Sequence, residues 1–151
     1  MLHMKLVWRE VEANLGYVVE TAVGKGGPLF HICRVGSCLC NDDDGHSTAV
    51  AIVKQHNDAL KQELLAAHRD RWLSDLPERT RFFVTKVPFL LVNMGANGRI
   101  HFSSGELLAY ESARGVGVWE RACFVNLKGE LGFSKNMSLK KLIDDGVLSL
   151  V

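Results

Sequence analysis

Apolar and polar side chains alternate over short spans in residues 1–40, and glycine-rich breaks interrupt the alternation. A period of two is the signature of strands with one buried face, so this part of the chain reads as short antiparallel strands. Strands are predicted over 6–11, 17–23, 29–35 and 37–40, with turns at 13–16, 24–28 and Gly36. Glycine supplies the positive φ that tight hairpins need. The polar run 41–45 then ends the meander.

From Ser47 the period lengthens. Val50, Val53, Asn57, Leu60, Leu64 and Ala67 recur every three or four residues, which is one apolar stripe on a long helix predicted over 48–74. Ser47 or Thr48 is the expected N-cap, Asp42, Asp43 and Asp44 suit the positive end of the helix dipole, and Leu76-Pro77 is a natural stop. Such a helix is roughly 40 Å long at 1.5 Å per residue. A four-stranded meander needs less cover than that, so part of the helix is left to meet a second lobe or a partner.

The remaining chain predicts strands over 81–86 and 89–94, a hairpin at Asn97-Gly98, a strand over 99–103 and a short helix over 106–113. Strands over 116–127 and 131–133 follow, then a short helix over 138–145 capped by Ser138, and a final extended segment over 147–151. The fold class is therefore α+β: an N-terminal antiparallel β-meander, a long helix, and a second small β-rich lobe with a short C-terminal helix. The chain divides at Pro77 into 1–76 and 77–151, or runs as one continuous domain.

Composition bounds the function. The 151 residues carry 18 Lys and Arg against 17 Asp and Glu, a net charge of +1, so no long-range field draws in nucleic acid or anionic lipid. Residues 77–151 hold 10 basic and 7 acidic side chains, a small excess. Lys5, Arg9, Glu10 and Glu12 rule out reading the N-terminus as a signal peptide, and no apolar run reaches the ~18 residues of a membrane helix. The expected location is cytoplasmic, where Cys33, Cys38, Cys40 and Cys123 are thiols or metal ligands rather than disulfides.

The densest candidate chemistry is His31-x-Cys33 followed by Cys38-x-Cys40. A two-residue turn between them places all four on one sheet face, where three thiolates and an imidazole can converge on a structural zinc; a three-residue turn splits them. The alternative is that the thiols pack as small hydrophobes. Residues 41–46 offer three carboxylates and His46 for a hydrolytic metal, or simply a solvated turn that caps the helix. Cys123 lies in an apolar strand and reads as core. Arg79, Arg81, Phe82, Phe83 and Lys86, with Lys128, Lys135, Lys140 and Lys141, are the candidates for a nucleic-acid surface. Trp72, near the end of the overlong helix, is the candidate for a partner contact.

The stretch 49–60, Ala-Val-Ala-Ile-Val-Lys-Gln-His-Asn-Asp-Ala-Leu, resembles the helix of small tailed-phage and prophage accessory proteins. The resemblance implies a mobile-element protein that interferes with, or adapts to, its host, and it carries no functional residues across. Taken together, the sequence predicts a non-enzymatic macromolecule-binding protein, phage-like, that inhibits or redirects a host or defence complex without a cofactor. A zinc-stabilised nucleic-acid-binding regulator and a small metal-dependent hydrolase built on 42–46 are the alternatives.

Overall fold

The computed structural model describes residues 2–13, 16–24, 27, 29–36, 43–69, 80–114, 121–135 and 137–151. Among them the architecture is α+β, in the predicted order: a three-stranded antiparallel sheet, a long helix, a larger sheet and a short C-terminal helix. The first sheet has the order β1-β2-β3, with β1 Trp8–Ala13, β2 Gly16–Thr21 and β3 His31–Val35. The fourth strand expected over 37–40 lies outside the described residues.

Helix α1, Asp43–Ala67, begins earlier than the stripe predicts, so Ser47 and Thr48 sit inside it and do not cap it. Its buried side runs through Ala49, Val53, Asn57, Leu60, Leu64 and His68, whereas Val50 and Ala67 are exposed. Its first half packs Ala49 and Val53 on Val19 of the small sheet. Its second half packs Leu60, Leu64 and Leu65 on Phe82, Val84, Leu107, Ala109 and Val125 of the large one. The surplus helix length covers the second sheet.

That sheet is seven-stranded and antiparallel, in the order β10-β4-β7-β8-β9-β5-β6. Its strands are β4 Phe82–Thr85, β5 Phe89–Asn93, β6 Arg99–Phe102, β7 Leu107–Arg114, β8 Arg121–Asn126, β9 Leu131–Phe133 and β10 Leu148–Leu150. The helix expected over 106–113 is strand β7. Leu107 and Ala109 enter the cluster beneath α1, while Leu108 enters the cluster on the other face. A strand buried on both faces shows a continuous apolar run, which in a Glu-Leu-Leu-Ala sequence imitates a helix.

The topology forces the sheet to curl. Strand β6 lies four places from β7, roughly 19 Å in a flat sheet, yet only residues 103–106 join them. That link is itself bonded to β4: Gly105 N–H donates to Thr85 O at 2.7 Å, and Thr85 Oγ1 donates to Ser103 O at 2.6 Å. The concave face encloses Phe83, Leu91, Ile100, Phe102, Phe124 and Leu148, closed by Leu142 of helix α2, Leu139–Asp144. As predicted, Ser138 caps α2, accepting from Lys141 N–H at 3.2 Å. The convex face carries α1.

The two sheets and α1 meet at residues 6–8. Val7 N–H donates to Gly105 O at 2.9 Å, and Val7 O accepts from Ala22 N–H at 2.6 Å. The Asn57 side chain closes both backbone groups of Trp8, accepting from its N–H at 2.9 Å and donating to its O at 3.0 Å. His56 Nε2 donates to Leu6 O at 2.8 Å, and its ring stacks on Trp8 with centroids 3.6 Å apart and planes 9° from parallel. Close by, Gly24 lies so near β4's end that a Cβ there would sit 1.5 Å from Lys86 O, so only glycine permits the approach.

Two measurements check this joint. Replacing Asn57 by Ala leaves two part-buried backbone groups of Trp8 without that partner, at a cost of about 1 kcal/mol each, and lowers the urea midpoint with an unchanged slope. Burial holds the His56 imidazole below its ordinary 6.5; the bond to Leu6 opposes that shift and His3 adds to it. The unfolded imidazole therefore takes a proton more readily than the folded one. Stability is complete above 6.5 and falls as the pH drops below it. Urea melts across pH 5 to 8 are expected to show that loss, and a His56→Gln chain a shallower one.

Candidate functional site

Of the four residues predicted to share a metal site, His31 and Cys33 are described and Cys38 and Cys40 are not. Strand β3 pairs with β2 through an irregularity that sets His31 opposite Glu20 and Cys33 opposite Val19. Glu20 and Val19 are consecutive, so their side chains leave opposite faces of β2. His31 Nδ1 lies 3.8 Å from Glu20 Oε2, and Cys33 is exposed. Among the described residues no three His, Cys, Asp or Glu side chains gather as metal ligands. Trp72, Asp42 and Arg79 lie outside the described residues. Asp43 and Asp44 are the first two residues of α1, and His46 stacks on Tyr17 with centroids 4.8 Å apart.

The predicted basic and aromatic residues disperse. Phe82 and Phe83 are both core, on opposite faces of β4, and Arg81 lies over Tyr110 at 4.8 Å. Lys140 and Lys141 pair with Asp144 and Asp145 at 2.5 and 3.1 Å, one helical turn on. Cys123 is fully buried. Lys128 and Lys135 instead flank a surface that the sequence did not single out.

That surface is the part of the convex face that α1 leaves uncovered. Register places Val92 between Arg99 of β6 and Phe133 of β9, and Leu90 opposite His101. Leu90 and Met94 are exposed. Arg121 of β8 lies over the Phe133 ring, 4.9 Å from its centroid. With Lys135 these residues line a cavity of about 430 Å³ whose other members are Val92, Gly98 and Arg99. No ion pair among the described residues links Arg99, Arg121 or Lys135 to a carboxylate. Among the described residues, three cations therefore border an aliphatic row in a cavity that no carboxylate lines.

Arg99 also lines a second cavity, of about 470 Å³, whose walls include Lys5, Glu63, Glu106, Lys128 and Glu130. Here the charges are mostly matched. Lys5 pairs with Glu63 at 2.5 Å, and Glu130 accepts from Asn126 Nδ2 at 3.0 Å. Glu106 Oε2 accepts from Ser103 N–H at 2.5 Å, which ties the carboxyl to the β6–β7 link. Burial raises its pKa above the ordinary 4.5; the Ser103 N–H and the Lys128 ammonium pull it back without cancelling the rise. The cavity thus holds a desolvated carboxyl that is easier to protonate than a surface glutamate, on a turn that fixes the curl.

The signal for this surface was present but indirect. Arg99-Ile100-His101-Phe102 alternates strictly, so Arg99 and His101 share one face and Ile100 and Phe102 the other. What no local pattern supplies is the strand order that brings Arg121 and Lys135 beside them.

Carbon-detected titration of the Glu106 carboxyl is expected to give a midpoint above 4.5, and Lys128→Ala to move it further upward by removing the nearby positive charge. A midpoint that moved down in that variant would contradict the geometry.

No protein family, no curated protein and no solved structure matches this chain.

Proposed function

We propose that this is a non-enzymatic macromolecule-binding protein, acting by occupying a surface of a larger complex and so inhibiting or redirecting it. The observation that carries the reading is the uncovered convex face of β5, β6 and β9, where Leu90 and Met94 are exposed and Arg99, Arg121 and Lys135 line a cavity with Val92 and Phe133. A row of aliphatic side chains with cations at its border is the makeup of a docking surface: an apolar centre to exclude water and a charged rim to orient the partner. The likeness of 49–60 to phage and prophage accessory proteins directs the search for the partner to host or defence machinery. His56 and Asn57 in that stretch hold the backbone of Leu6 and Trp8, which fits a structural use of these residues.

No helix among the described residues is long and apolar enough to cross a membrane, in keeping with a partner that is not lipid. The test is to express the tagged chain in its source cell, cross-link, and quantify co-purifying material by mass spectrometry. A stoichiometric complex is expected. Recovery of the chain alone at endogenous expression, or catalytic turnover of an added substrate, would sink the reading.

A further inference from the structure

The same face has a polarity that narrows the partner's chemistry. Resting on the macromolecule-binding reading above, we infer that its occupant is an extended, acidic segment of a partner protein, laid along β6 with carboxylates on alternate residues.

Four observations converge. First, β6 stands at the end of the sheet, paired on one side with β5 and, among the described residues, with no strand on the other. Second, its outward backbone groups can be placed. Asn93 N–H donates to Gly98 O at 3.1 Å, which makes that pair a hydrogen-bonded one. In an antiparallel ladder such pairs alternate with pairs whose N–H and C=O point away from each other. Val92↔Arg99 and Leu90↔His101 are then of the second kind, so the backbone groups of Arg99 and His101 face the open edge. An added strand would bond to both.

Third, the side-chain spacing matches. Arg99 and His101 are two residues apart on one face, roughly 7 Å, the repeat at which an extended partner presents every second side chain. Carboxylates at those positions meet Arg99 and His101, and the remaining cations, Arg121 and Lys135, lie further across the face. Guanidinium donates two parallel N–H bonds to a carboxylate, which favours this pairing geometrically.

Fourth, the apolar part of the face is aliphatic. The exposed large hydrophobic residues near it are Leu90 and Met94, and no aromatic residue is among the exposed large hydrophobics described. Among the described residues the one phenyl ring on the face, Phe133, already carries the Arg121 guanidinium. Single-stranded nucleic acid is held largely by stacking its bases on open aromatic faces, and among the described residues this face has no exposed Phe, Tyr or Trp.

Fluorescence anisotropy with a labelled peptide alternating glutamate and leucine tests the inference, with an oligothymidylate of equal length and a lysine-leucine peptide as comparison probes. The glutamate peptide is expected to bind, and the lysine peptide not to. Arg99→Glu with Lys135→Glu is expected to weaken binding by about ten-fold or more, since like charges then face each other across the contact. These two side chains are chosen because neither holds an ion pair among the described residues, and thermal melts confirm that the variant folds. Slowed hydrogen exchange at the Arg99 and His101 amides on binding would report strand addition.

Tighter binding of the oligothymidylate than of the glutamate peptide would overturn the inference, as would glutamate-peptide affinity unchanged by the double reversal, or no peptide binding at all. A complex captured from cells that survives the double reversal would leave the macromolecule-binding reading standing and remove this face from it.

Discussion

The fold depends on how three backbone residues, 6–8, are satisfied. They pass from the edge of the small sheet to the link that curls the large one, and a buried N–H or C=O left without a partner there would cost more than a side-chain contact returns. Val7 is shared between Ala22 and Gly105, so its two backbone groups belong to different sheets. Asn57 does for Trp8 what a neighbouring strand would, and His56 does the same for Leu6 while stacking on the Trp8 ring. Helix α1 is thereby fixed to the point where the sheets meet. Its far end is fixed too, because buried His68 donates to Asn126 O at 3.0 Å in the β8–β9 turn.

Once both points are set, the area that α1 covers follows. Leu60, Leu64 and Leu65 reach β4, β7 and β8, and the helix ends at the β8–β9 turn. The β5–β6 hairpin lies beyond its reach on the convex side, although the concave side of that hairpin is buried through Leu91, Ile100 and Phe102. An exposed Leu90 beside a fully buried Leu91 is thus a consequence of where the helix stops.

Much of this was legible in the chain. The helix was readable from its period because its amphipathic stripe is long, and the Asn97-Gly98 hairpin and the Ser138 cap were readable because each rests on local chemistry. The stripe was misplaced at both ends, with Ala49 buried in place of Val50 and His68 in place of Ala67. The cause is that α1 serves two sheets, so its buried side winds slowly around the axis and does not follow one straight seam. Strand β7 was misread because burial on both faces erases the period that distinguishes strand from helix. The candidate surface was the least legible part. Its cations come singly from β6, β8 and the chain just after β9, and Lys135 looked no different in sequence from Lys140, which the structure spends on Asp144.

A positively charged side chain on an edge strand has a second consequence that bears on the surface. Unpaired edges invite pairing with other chains, and proteins commonly guard them with charge. At β6 the guard toward β5 and β9 is Arg99 on the edge with Arg121 and Lys135 behind it, in a cavity lined by no described carboxylate, while the cavity beyond Arg99 also holds Glu63, Glu106 and Glu130. On the side where Arg99, Arg121 and Lys135 gather, such a guard opposes a basic strand and does not oppose an acidic one. The feature that guards the open edge therefore also selects what can add to it, so that protection and recognition at β6 come from the same three side chains.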